Sequence, residues 1–145
     1  MNRIHRSGFT LLEILVVLAI ITILGTLVGV SVARHPGQAR RTAAETQIRI
    51  FRQALQLYRM EQGMIPTTRQ GLEALCRKPD VDPLPARYPA EGYLESPVVP
   101  KDPWGNPYAY RSPGPEGAIF EVISYGSDGE PGGDGEAADM TSANL

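Results

Sequence analysis

Residues 9–32, FTLLEILVVLAIITILGTLVGVSV, decide how the rest of the chain is read: 24 residues carry a single charge, Glu13. At about 1.5 Å per residue a helix of this length reaches roughly 36 Å, enough to cross a bilayer core of about 30 Å with some tilt. No helix buried inside a chain of 145 residues needs 19 uncharged residues in succession, as Ile14 to Val32 provides. The stretch therefore predicts one membrane span. It follows a short basic segment with Arg3 and Arg6. A secretory signal would close its apolar region at a small-residue cleavage site after about 7 to 15 residues. This run instead continues toward a helical pattern, so the segment is expected to be retained. Arg3 and Arg6 on one side face Arg34, Arg40 and Arg41 on the other, and flanking charge alone leaves the orientation open.

Glu13 is the most informative residue of the segment. A carboxylate well inside hydrocarbon costs on the order of 3 kcal/mol even on lenient insertion scales, so it must be protonated, interfacial or paired. The rest of the span offers only Thr22, Thr26, Ser31 and backbone. Either Glu13 snorkels at an interface, or its partner comes from outside the segment. An amine created by cleavage of the chain nearby is a physically sensible partner.

The whole-chain averages hide this organisation. Fourteen basic and 16 acidic residues give a formal charge of −2, with pI about 5.7 and a mean hydropathy of −0.18. These values exclude a polytopic membrane protein and a strongly basic nucleic-acid binder, and the single Cys76 excludes a disulfide scaffold. Cys76 reads as an inert thiol, and His5 and His35 share no ligand spacing with it or with each other. The charges are segregated. Arg34 to Arg69 holds seven Arg against Glu45 and Glu61, a net of +5, whereas Ser112 to Leu145 holds seven carboxylates and no Lys or Arg. In a packed homopolymer such blocks could meet between subunits.

His35-Pro36-Gly37 breaks the helical pattern, so a kink or short unwinding is expected there. Beyond it Ile48, Phe51, Leu55 and Tyr58 recur at spacings of three and four, the signature of an amphipathic helix from about Gln38 to Gln62 that Gly63 ends. Its arginines do not interleave with exposed aromatics, which favours a solvated face over nucleic-acid binding. Ile65 to Leu75 predicts a turn and a short helix capped by Thr67 or Thr68 and ended by Pro79. Pro79 to Pro115 is proline-rich and reads as a surface loop. Two strands are predicted, Pro107 to Arg111 and Ala118 to Tyr125, joined by a hairpin loop over Ser112 to Gly117.

Tyr125 to Asp139 combines Asp128, Asp134, Glu136 and Asp139 with glycines at 126, 129, 132, 133 and 135. Hard oxygen ligands and turns that aim carbonyls inward suit Ca²⁺. The acidic spacing matches no EF-hand. By composition alone a solvated acidic tail and a calcium site stand equally open.

Gly8-Phe9-Thr10-Leu11-Leu12-Glu13 followed by a long apolar run resembles the cleavage and assembly segment of type IV pilins and pseudopilins. Three further stretches, Pro66 to Leu75, Lys101 to Tyr108 and Ser124 to Asp139, narrow the resemblance to the major pseudopilins of type II secretion systems. The resemblance implies an α+β fold, with a long N-terminal helix packed on a small antiparallel sheet and a loop-rich C-terminal region. It implies that a prepilin peptidase cuts between Gly8 and Phe9 on the cytoplasmic side and methylates the amine of Phe9. The carboxylate of Glu13 would then pair with the N-terminal amine of a neighbouring subunit. It also implies a structural calcium ion, with Asp128, Asp134, Asp139 and the backbone carbonyl of Tyr125 as ligands. Val30 stands where this family commonly places a kink proline, and the tail lacks the tryptophan often found there.

On this resemblance residues 1–8 form a leader, 9–33 a membrane and assembly helix, and 34–145 a periplasmic domain. The chain is expected to be a single-pass bacterial inner-membrane protein whose homopolymer drives folded proteins through the outer membrane. Its expected partners are minor pseudopilins, the inner-membrane assembly platform and ATPase, and the secretin. No triad, phosphate loop or paired carboxylate cleft is visible, so no catalysis is expected. A type IV pilus subunit for adhesion or DNA uptake is the alternative filament, and a membrane-tethered calcium-binding module the alternative in another class.

Overall fold

The computed structural model describes residues 10–32 and 36–145, and of residues 25–32 the backbone alone. The Gly8–Phe9 junction, the leader before it and His35, the first residue of the expected break, lie outside the described residues. The chain divides into two compact units, Met1–Pro36 and Gly37–Leu145.

In the first unit the apolar run forms helix α1, Leu11–Val32. Every side chain described along it, from Leu11 to Leu24, is exposed. Those 14 residues alone would reach only about 21 Å. Among the described residues no helix is long and apolar enough to cross a membrane; the predicted span of residues 9–33 extends beyond them.

The second unit opens with helix α2, Pro36–Gln62. Pro36 is its first residue and no break inside it, because a proline there gives up an N–H that a first turn would leave unbonded. The predicted face is the buried one: Ile48, Phe51, Leu55 and Tyr58 are all inaccessible to solvent. Gly63, at φ 72°, ends the helix by donating its N–H to the Arg59 carbonyl at 2.9 Å, a conformation that costs glycine little.

The predicted short helix is one 3₁₀ turn, Leu72–Leu75, capped by no side chain. Thr67 closes the preceding turn instead: its Oγ1 accepts from the Gln70 N–H at 3.3 Å, and its own N–H donates to Gln70 Oε1 at 2.9 Å. Thr68 turns the other way and bonds both the carbonyl and the N–H of Ser112.

Strands β1 (Ala109–Arg111), β2 (Glu121–Ser124) and β3 (Met140–Thr141) form one antiparallel sheet in that order. Tyr110 faces Val122 and Arg111 faces Glu121 across the first pair, and Ser124 faces Met140 across the second. β2 is shorter than predicted and does not alternate. It is the central strand, and all four of its residues are buried. Glu121 is tolerated there because Arg111 Nε lies 2.6 Å from its carboxylate. The tail is not left free after the acidic loop. It pairs with β2, and Ser142 continues the contact by donating its N–H to the Val122 carbonyl while its hydroxyl accepts the Val122 N–H.

One core joins these elements. Phe51 of α2 meets Tyr108 edge-on with ring centroids 5.0 Å apart, and Tyr58 meets Tyr93 at the same distance. Leu72, Leu75, Leu94, Val122 and Met140 complete it.

Candidate functional site

The first candidate region is the start of α1. Thr10 caps it, its Oγ1 accepting the Glu13 N–H at 3.2 Å. Thr10-x-x-Glu13 is thus one half of a capping box, a signal legible in the sequence but absent from the reading above. Glu13 stands in the first helical turn, where the positive end of the helix dipole favours a carboxylate. Its side chain is exposed, and among the described residues the one ion pair is Arg111–Glu121. Glu13 therefore has no counter-charge among the described residues.

The second region is the acidic loop between β2 and β3. Asp128, Asp134 and Asp139 are all exposed on it, and Tyr125 is half-buried at its start. Asp128 Oδ1 accepts the Glu130 N–H at 3.2 Å, and Asp139 Oδ2 accepts the Gly132 N–H at 3.0 Å, closing the loop on itself. Each of these carboxylates keeps one oxygen outside those bonds. Asp134 precedes a short 3₁₀ turn, Gly135–Ala137, without capping it by its side chain. Among the described residues no three His, Cys, Asp or Glu side chains gather as a metal cluster. The three aspartates are thus held in one loop but not brought to one point. Such a donor set fits only a hard cation that takes backbone carbonyls and water beside carboxylates, which is the chemistry of Ca²⁺ and not of zinc.

The loop's base is built by residues the sequence reading quoted without giving them a role. Asp102, buried at 5 % exposure, accepts from the N–H of Trp104 at 3.1 Å and of Asn106 at 2.8 Å through Oδ1, while Oδ2 accepts the Ser124 hydroxyl at 2.8 Å. Asn106 Nδ2 then donates to the Gly126 carbonyl at 2.9 Å. The Asp-Pro-Trp-Gly-Asn turn is therefore a bracket that fixes the end of β2 and the first residue of the loop. Asp and Asn around a Gly are turn residues, but only the fold shows that the Asp102 carboxylate reaches a strand 22 residues away.

Within the chain the basic segment reaches the acidic loop through Arg41, by way of backbone carbonyls and not carboxylates. Arg41 Nη1 donates to the carbonyls of Gly135 at 2.6 Å and Ala138 at 3.3 Å. Cys76 is half-buried, and burial, then the charge of Glu73, pushes its thiol up, opposed by Arg77. That shift keeps it protonated and a poor nucleophile.

Residues 31–143 match the family described as Type II secretion system (T2SS), protein G, and residues 3–29 match the prokaryotic N-terminal methylation motif. The chain belongs to the type II secretion protein G family. Among its relatives, the Type II secretion system core protein G of Pseudomonas aeruginosa is 44% identical over 140 residues, covering 97% of this chain and 96% of that one. The protein of the same description from Vibrio cholerae is 42% identical over 140 residues, covering 97% and 93%. The crystal structure of the major pseudopilin from the type 2 secretion system of enterohaemorrhagic Escherichia coli superposes with a TM-score of 0.64 at 33% identity, covering 74% of this chain and 90% of that one. The pseudopilin fold expected from the sequence is thus the fold observed, a helix over a three-stranded antiparallel sheet. Family members are structural subunits, and the methylation motif is of the kind that accompanies inner-membrane anchoring.

Proposed function

We propose that this chain is inserted in the inner membrane through residues 9–33, cut between Gly8 and Phe9, methylated on Phe9, and polymerised through α1 into the pseudopilus of a type II secretion system. One observation carries the reading: the side chains from Leu11 to Leu24 are apolar almost without exception and exposed on every face of α1. A helix apolar all round has to be covered by lipid or by other helices. Glu13 interrupts that surface at the end where cleavage would create an amine, and pairing with a neighbour's amine would offset its desolvation on assembly. Prepilin peptidase, minor pseudopilins, the assembly platform and ATPase, and the secretin are the partners this role requires, and the subunit itself does no chemistry. Glu13→Ala should leave membrane insertion intact and abolish filament formation, read by membrane fractionation and electron microscopy. Filaments of ordinary length and number from that variant would refute the assembly role.

A structural calcium ion in the loop completes the proposal. Asp128, Asp134, Asp139 and the Tyr125 carbonyl would be its ligands, with water supplying the rest, and because the three carboxylates do not meet in one cluster, binding would have to draw them together. The ion would neutralise part of a loop that has no Lys or Arg of its own.

A further inference from the structure

The acidic loop touches the beginning of α2 through Arg41 and Gly37, and the bracket turn adds a further contact from Trp104. Arg41, one turn into the helix, is aimed at two carbonyls of the loop, those of Gly135 and Ala138. Glu136 lies between them in sequence and turns back onto the helix's first turn, where a Cβ on Gly37 would overlap its carboxylate. Trp104 Nε1, from the bracket turn, donates to the same carboxylate at 3.4 Å. The loop is then closed through the backbone of that residue, since the Ser127 N–H donates to the Glu136 carbonyl at 3.0 Å.

These contacts explain an otherwise unfavourable residue. Glycine inside a helix costs about 1 kcal/mol relative to alanine. Gly37 is buried and helical, and its missing side chain is the space that Glu136 fills. The carboxylate there sits at the positive end of the α2 dipole, and the guanidinium one turn later takes carbonyls that would otherwise point to water.

We propose that Arg41, Glu136 and Gly37 form a latch that makes the acidic loop and the first turns of α2 a single cooperative unit, ordering and opening together. Helix α2 begins at Pro36, the residue after which the chain's two units divide. Order in a loop near the C-terminus is thereby tied to the beginning of the domain helix, about 100 residues away in sequence. The latch stands on protein contacts alone and does not rest on a metal in the loop.

Hydrogen exchange read by mass spectrometry on the full chain in detergent, with chelator present, tests it. Arg41→Ala and Glu136→Ala should each speed exchange about tenfold in two places at once, the loop (residues 126–139) and the start of α2 (residues 37–42), consistent with loss of a charge-assisted hydrogen bond. Peptides from residues 48–58 should stay protected, and Arg49→Ala, an exposed arginine of the same helix, should change neither region. Gly37→Ala gives the sharper result. A helix governed only by its own propensity would become better protected, whereas the latch requires faster exchange in the loop because Glu136 is displaced. The proposal is overturned if any of these variants loosens one region without the other, or if the loop exchanges at the unprotected rate in the unaltered chain.

Discussion

Replacing Asp102 by alanine should be the most damaging single change in the domain outside its apolar core. The side chain accepts three hydrogen bonds, from the Trp104 and Asn106 amides and the Ser124 hydroxyl, while only 5 % exposed. Bonds to a carboxylate contribute about 1.5–3 kcal/mol each, and the partners left behind lose their acceptor in a site with little water. The three share one acceptor and are not additive, so we expect a loss of about 3–5 kcal/mol against the roughly 5–15 kcal/mol typical of a domain. For a unit of this size that corresponds to a melting temperature lower by about 12–20 °C. Asp102→Asn keeps the acceptor for both amides and asks only that the Ser124 hydroxyl turn, so it should lose about 1 kcal/mol. Thermal and urea melts of the full chain in detergent, followed by circular dichroism, would give the order unaltered chain, Asn, Ala. An Asp102→Ala chain within about 1 kcal/mol of the unaltered one would show that the bracket does not hold the strand.

The buried Tyr58 and Tyr108 hydroxyls have no hydrogen-bond partner among the described residues, so Tyr58→Phe and Tyr108→Phe should be neutral or stabilising by up to about 1–3 kcal/mol. A clear destabilisation in urea melts would contradict that. Burial holds the Tyr88 phenol up to about 12, with smaller contributions from Cys76, Tyr93 and Tyr58, and burial also raises Tyr58, Tyr93, Tyr108 and Tyr110. An unfolded chain releases these protons near pH 10, so stability should be full below that pH and fall as pH rises toward about 12. Equal urea midpoints at pH 9 and pH 11.5 would exclude this. Gln70, buried at 7 %, donates to the carbonyls of Val81 and Pro83 at 2.7 and 2.8 Å, so Gln70→Ala should cost about 2–3 kcal/mol in the same melts and loosen the 79–85 loop to proteolysis. Removing calcium with chelator should lower the melting temperature by several degrees if the loop holds the ion, following binding linkage. Identical melts with and without chelator would remove the metal reading.

What the sequence disclosed follows from the range over which each signal acts. The α2 face was legible because Ile48, Phe51, Leu55 and Tyr58 repeat within one element, and periodicity needs no knowledge of the partner. The first strand pair was placed to within a few residues, and its ends shifted because β2 is buried on both faces and loses its alternation. β3 was missed, since two residues carry no pattern and Met140 is fixed only by its place opposite Ser124. The candidate residues of the loop were legible as oxygen donors. That Asp128, Asp134 and Asp139 do not converge was not, because convergence depends on how glycine turns stack. The long-range roles of Asp102, Arg41 and Glu136 were illegible for a common reason: Ser124 lies 22 residues from Asp102, and Ala138 nearly 100 from Arg41.

The sheet's dimensions bear on how such a subunit avoids the wrong polymer. Its outer strands are three and two residues long, and its one fully buried strand lies between them. Long unpaired edges are what template runaway strand addition, and edges this short offer almost no ladder on which a stranger could zip. Copies of such a subunit can thus crowd against one another without their sheets seeding amyloid-like stacks.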